Sequence, residues 1–222
     1  EDFIKTYHMG AKRVFLSHLS AYTNLQNIKL QKPDVSNYVL FFGGISSHKG
    51  IEYLCEAMDK VCKKHPDVKL VVAGKGKIYF DINQYAIYRN GHLVLLNRYL
   101  DDTELVGLIR SSLFVVCPYV DATQSGVIMS AFALNKPVIA TNVGALPSMV
   151  KNGQYGTIVP PRDVTSLATA INTLIEDPQE IEAMTENIKH DYSKGKYSWN
   201  AIAQGITDIY TKKLSTFGNR NN

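Results

Sequence analysis

Short continuous apolar runs alternate along the chain with longer stretches whose apolar positions recur every three or four residues. Tyr38-Val39-Leu40-Phe41-Phe42 is one such run, stopped by Gly43-Gly44, and it predicts a buried strand. Ile51, Leu54, Cys55, Met58, Val61 and Cys62 then share one helical face. Residues 68–73 predict a second strand, closed by Gly74-Lys75-Gly76, and 93–96 a third. Leu105, Leu108 and Ile109 mark a helix with Asp101 or Asp102 as its cap. Residues 113–117 give a fourth strand, stopped by Pro118; 127–134 a mostly apolar helix; 137–140 a fifth strand; and 155–159 a sixth. Val164, Leu167, Ala168, Ile171, Leu174 and Ile175 form another helical face, and two more helices are expected near 179–192 and 198–214. Residues 1–36 read as a linker with a strand over Arg13 to Leu16, and 215–222 as a polar, disordered tail.

Continuous apolar strands separated by amphipathic helices imply a parallel sheet covered on both faces. Right-handed crossovers turn that pattern into an α/β, Rossmann-like, doubly wound layer. Ligands of such sheets sit beyond the carboxyl ends of the strands, so the residues just after each strand carry the chemical information.

Composition narrows the class without choosing a chemistry. The 222 residues are 45% hydrophobic and 20% charged, with a net charge of +4, which excludes a disordered chain. The charge is too mild to argue for nucleic acid, and none is expected as a partner. No apolar run is long enough to cross a bilayer, and no signal peptide opens the chain. Cys55, Cys62 and Cys117 form no CxxC pair and read as buried, reduced thiols, which implies a reducing cytosol. The opening at Glu1, without Met, reads as part of a longer protein.

Several strand ends offer polar chemistry. After the first, Gly43-Gly44-Ile45-Ser46-Ser47-His48-Lys49-Gly50 leads into a helix: either a tight turn with a solvated lysine, or a phosphate cradle in which Lys49 adds a charge to free helix N–H groups. It is neither a Walker A loop nor GxGxxG. Gly74-Lys75-Gly76 after the second strand is a turn or a second wall. Asn97-Arg98-Tyr99 after the third can bracket a base. After the fourth, Asp121, Thr123, Gln124 and Ser125 precede a buried helix that starts near Gly126-Val127, with Ser125 or Thr123 as its cap. Thr141 to Pro147 form a further Gly-containing turn. No HExxH or Asp-x-Asp is present, the six histidines are scattered, and no GxSxG or placed cysteine offers a nucleophile. Neither a metal nor a cofactor is expected.

As a set, these segments are similar to a known family. Phe41 to Ile51 resembles the FxGRxxxxKG segment of retaining GT-B glycosyltransferases of group 1. Asn97 to Leu105 looks like that family's base-side loop and helix. Pro118 to Pro147 resembles its donor-site block, and Ser198-Trp199 fits the start of its final helix. The Ala122-Thr123-Gln124-Ser125-Gly126-Val127 form is similar to members that build bacterial surface polysaccharides.

The resemblance implies the C-terminal, nucleotide-sugar-binding half of a two-domain enzyme. Residues 37–197 would form the donor domain, and 1–36 the connection to a preceding acceptor-binding half. The final helix over 198–214 would pack toward that half. By carry-over, Lys49 would act on the donor diphosphate, which Gly126 and Val127 would meet with N–H groups. Arg98 and Tyr99 would line the base pocket, and Asp121, Thr123 and Gln124 would face the sugar. The substrate would be a UDP- or GDP-linked sugar. The acceptor would be a saccharide or lipid-linked hydroxyl at the inner face of the cytoplasmic membrane, with peripheral association there. Transfer would proceed with retention and without metal, in capsule or lipopolysaccharide synthesis, and this half alone would transfer nothing. The chain departs from the family at Gly44, where arginine is usual, and at Ala122 and Ser130, where paired glutamates fall. Asp121 can stand in for the first glutamate. The departures keep open a non-catalytic nucleotide-sugar-binding relative or partner subunit; another Rossmann-like nucleotide binder or a GT-B epimerase is a third reading.

Overall fold

The computed structural model describes residues 2–8, 10, 14, 15, 17 and 19–218. Six strands carry the fold: β1 (Tyr38–Phe42), β2 (Lys69–Ala73), β3 (Leu93–Leu96), β4 (Val115–Cys117), β5 (Val138–Thr141) and β6 (Gly156–Val159). The helices are α1 (Asp2–Thr6), α2 (Ile51–Lys64), α3 (Ala86–Arg89), α4 (Asp102–Ser111), α5 (Gly126–Ala133), α6 (Leu146–Val150), α7 (Val164–Glu176), α8 (Pro178–Ser193) and α9 (Trp199–Gly218). The chain divides into two compact units. One is Ala21–Lys189; the smaller is drawn from the described residues of Glu1–Ser20 and His190–Asn222.

In the larger unit the strands form one sheet in the order β3-β2-β1-β4-β5-β6. Every pairing is parallel, with Phe42 beside Ala73, Ala73 beside Leu96, Leu40 beside Val115, and Cys117 beside Ala140. The expected α/β, Rossmann-like doubly wound sheet is therefore present. All of β1 and β4 is buried, as continuous apolar runs require in a two-faced sheet. The stripe on α2 buries Ile51, Leu54, Cys55, Met58 and Val61, while Cys62 is only half-buried. The cap of α4 is Asp101, whose carboxylate accepts from the Glu104 N–H at 2.9 Å. Asp163 caps α7 in the same way at 2.9 Å.

The periodicity gives no element between β2 and β3, yet α3 lies there. Its first N–H groups are met by a carboxylate distant in sequence: Asp59 on α2 accepts from Ala86 at 3.0 Å and from Ile87 at 2.7 Å. Tyr79 ties the same loop down by donating to Glu52 and accepting from the Ile51 N–H.

In the smaller unit, Tyr192 and Tyr197 stack with ring centroids 5.1 Å apart, and Ser20 Oγ donates to the Tyr197 carbonyl at 2.7 Å. Ser198 Oγ accepts from the Ala201 N–H at the start of α9. The final helix runs past the expected end at Leu214 to Gly218, the first residue after it that disfavours a helix; 219–222 lie outside the described residues. Of the strand expected over Arg13 to Leu16, Arg13 and Leu16 also lie outside them, and Val14 and Phe15 belong to no regular element. No helix of the described residues is long and apolar enough to cross a membrane.

Candidate functional site

The sheet reverses its winding between β1 and β4. From β1 the chain builds outward through β2 to β3; from β4 it builds the other way through β5 to β6. A crevice opens at such a switch point, beyond the strand ends. The turn after β1, residues 43–50, and the loop after β4, residues 118–125, flank this point.

These two segments lie against each other. The Val120 N–H donates to the His48 carbonyl at 2.9 Å, and the Asp121 N–H reaches the same oxygen at 3.4 Å. Gly50, at φ +64, has no room for a side chain, because a Cβ there would lie 2.1 Å from the Pro118 carbonyl oxygen. Gly144, at φ +51, lies equally close to the other end of the loop: its Cβ would meet the Ala122 carbonyl oxygen at 1.8 Å. The Ala145 N–H donates to the Thr123 carbonyl at 3.0 Å. Both glycines serve close approach of one segment to the next.

Lys49 stands on the turn after β1. Its ammonium lies 3.7 Å from the centroid of the Tyr119 ring, which is fully buried. Burial lowers the Lys49 pKa from the ordinary lysine value, since a charge taken from water loses hydration. The nearby Cys117 thiol is pushed up to about 12 by its own burial, so it is neutral and is no nucleophile. The Tyr119 hydroxyl lies 3.4 Å from Ser125 Oγ. Ser125 is the N-cap of α5, its Oγ accepting from the Ile128 N–H at 3.4 Å. Lys49 and the positive end of α5 are thus joined through one phenol ring.

The remaining candidates divide. Gly126 is exposed and Val127 half-buried at the first turn of α5. Asp121, Thr123 and Gln124 are exposed on the loop. Gly44 is exposed, with open space where a Cβ would be. Gly43, Gly74 and Gly76 do not offer their N–H groups to a ligand. Gly43 donates to the Ala73 carbonyl at 2.9 Å, and Gly74 to that of Leu96 at 3.0 Å. Gly76 donates to the Asn97 side chain at 3.1 Å, which returns a bond to the Gly76 carbonyl at 3.0 Å. The small size of Gly74 and Gly76 instead lets the end of β2 close on the turn after β1, where Ile45 and Gly76 form a parallel bridge.

Arg98 follows the end of β3 and is paired there with Glu104. Its guanidinium is held by both carboxylate oxygens of Glu104, at 2.7 and 2.5 Å, and by the Tyr99 carbonyl at 3.2 Å. It borders a cavity of about 460 Å³ formed with Gln31, Pro33, Val94, Leu96 and Leu108. Tyr99 is 79% exposed, with the Lys75 ammonium 4.7 Å from its ring centroid. Ser130 turns back on its own helix, donating to the Gly126 carbonyl at 3.0 Å. Among the described residues no group of three or more His, Cys, Asp or Glu side chains is placed to hold a metal ion.

Residues 23–191 match the family of glycosyl transferases, group 1. The chain belongs to the group 1 glycosyltransferases. It is 32% identical to an uncharacterised glycosyltransferase of Methanocaldococcus jannaschii over 187 residues, which is 83% of this chain and 47% of that protein. Two solved structures share its fold. Sucrose-phosphate synthase from Thermosynechococcus elongatus has a TM-score of 0.72 at 21% identity, covering 97% of this chain and 56% of that one. Anabaena HepE, solved in complex with UDP, has a TM-score of 0.66 at 24% identity, covering 80% and 49%. The chain spans about half the length of the curated relatives it matches.

Two residues of this group 1 glycosyltransferase carry more of the site than their sequence context implied. Tyr119 directly follows the Cys117-Pro118 strand end, and its position there was the available signal; that its ring would turn inward under Lys49 was not readable. Tyr22 comes from the segment before β1, which gave no functional signal. Its hydroxyl would lie 3.3 Å from a Cβ on Gly126, so the absence of a side chain at 126 leaves room for a phenol beside the start of α5.

Proposed function

We propose that this chain is the donor-nucleotide half of an enzyme that moves a sugar from a nucleotide diphosphate sugar to a hydroxyl acceptor, with retention. The observation that carries the reading is the half-buried Lys49 ammonium, held at the β1/β4 switch point beside the N-cap of α5. As the anomeric bond breaks, negative charge gathers on the leaving diphosphate. A fixed ammonium and the first-turn N–H groups of Gly126 and Val127 meet that charge without a metal. A site whose donors are already placed stabilises the departing group without reorganising. Asp121, Thr123 and Gln124, exposed on the loop between these two cationic features, face the sugar. The acceptor is bound by a preceding domain, and any general base comes from that domain or from the donor phosphate itself. Binding of UDP and UDP-glucose by HepE, which shares the fold, supports a uridine donor. Capsule or lipopolysaccharide synthesis at the membrane face is the setting that the Ala122–Val127 segment favours.

Titration calorimetry of the full-length protein with UDP, GDP and their sugars tests this reading. Binding of one diphosphate, weakened about tenfold or more by Lys49→Ala, is expected. Absence of binding by every nucleotide would overturn it. The non-catalytic alternative rests on Ala122 and Ser130, neither of which supplies a carboxylate. Binding without transfer to any saccharide or lipid-linked acceptor would select it.

A further inference from the structure

We propose that Tyr119 is a positioning residue for the donor phosphates: its buried ring is the seat that holds the Lys49 ammonium beside the N-cap of α5. The inference rests on the donor-site reading above and assigns a role to a residue outside the polar loop itself.

The ring is fixed at several points. It is fully buried, its hydroxyl lies 3.4 Å from Ser125 Oγ, and its backbone carbonyl accepts from Thr141 Oγ1 at 2.6 Å. The next residue, Val120, is bonded to the His48 carbonyl, so ring and lysine belong to one braced unit. Among the described residues, no carboxylate lies within ion-pair distance of Lys49. That matters chemically. A carboxylate would fix the ammonium but cancel its charge and compete with phosphate. An aromatic face fixes the ammonium through the ring quadrupole and leaves its full charge for an anion. A lysine already held in place gives up less side-chain freedom when the phosphate arrives. The ring also offsets part of the hydration that Lys49 loses.

The test uses the full-length protein, UDP as probe, and calorimetry from about pH 7 to pH 10, where a lysine titrates. Tyr119→Phe keeps the ring and is expected to bind UDP within about twofold of the parent. Tyr119→Leu removes the aromatic face. It is expected to weaken binding about five- to tenfold, and to move the alkaline loss of affinity to lower pH, because Lys49 then loses its proton more readily. A ring that only filled space would weaken binding evenly across pH. A second measurement needs no Tyr119 variant. In the parent protein the Lys49 ε-methylene proton signals, assigned by their loss in Lys49→Ala, should be shifted upfield by the ring and stay shifted with UDP bound. If the parent binds UDP but Tyr119→Leu matches it at every pH, or if the methylene signals sit at their unshifted position, the role of Tyr119 is overturned and the donor site stands. If the parent binds neither UDP nor GDP, the donor-site reading fails and this assignment falls with it.

Discussion

Two lysine–tyrosine pairs sit along the carboxyl edge of the same sheet, and they differ in almost every physical respect. Lys49 and Tyr119 meet at the switch point, with the ring fully buried and the ammonium 3.7 Å from its centroid. Lys75 and Tyr99 meet at the ends of the outer strands β2 and β3, 4.7 Å apart, on a ring that is 79% exposed. Solvent surrounds the outer pair, so its attraction is at the weak end for such contacts, and neither group is fixed. The inner pair is desolvated, braced by backbone hydrogen bonds and joined to a helix N-terminus. Topology, not residue type, separates a positioned charge from an ordinary surface contact.

The largest expected effect comes from breaking the frame of the inner pair. Gly50→Ala forces a Cβ against the Pro118 carbonyl at positive φ and should cost about 3 kcal/mol of stability, with UDP binding lost. Gly91→Ala on the outer half, also at positive φ but with open space around it, should cost only about 1 kcal/mol. Thermal unfolding of both variants reads the difference.

Next is the charge itself. Lys49→Met should weaken UDP binding by roughly 10- to 100-fold, as loss of a charge-assisted contact predicts, yet raise stability at neutral pH by removing a half-buried cation. The sign with pH follows from the lowered Lys49 pKa. Between that value and the ordinary lysine range the unfolded chain holds a proton that the native chain releases. The destabilising contribution of Lys49 is therefore full below its folded-state value and fades as pH rises above it, while UDP affinity falls over the same window. Denaturant melts and calorimetry, each compared with Lys49→Met, should move in opposite directions.

Smaller effects sharpen the contrast. Gly44→Arg places a second cation where space is open and where the family carries one; it should tighten UDP binding about fivefold, as one exposed ion contact allows. Ser125→Ala removes the α5 cap and should cost about 1 kcal/mol in a thermal melt. Lys75→Ala and Tyr99→Ala should each change UDP affinity by less than about twofold by calorimetry. A tenfold loss from either would erase the distinction between the two regions.

Much of this was readable before any coordinates. The runs at 38–42, 68–73 and 113–117 and the stripe on α2 specify strands and a helix because the pattern of burial is written in the residues themselves. The strand-end rule pointed to the turn after β1 and the loop after β4, which pack against each other. What the pattern missed depended on partners far along the chain. The α3 helix is held by Asp59 on α2, so it could not be judged from its neighbours. The N–H groups of Gly43, Gly74 and Gly76 looked open because glycine permits close approach, but what approaches them is the protein.

The sequence by itself determined the alternating elements, the parallel sheet and the lysine that follows its first strand, since these depend on local periodicity and strand ends. Only the tertiary structure decided which backbone amides remain open and that a buried phenol carries the lysine. Those outcomes depend on distances between segments some 20 to 70 residues apart, which no local pattern encodes.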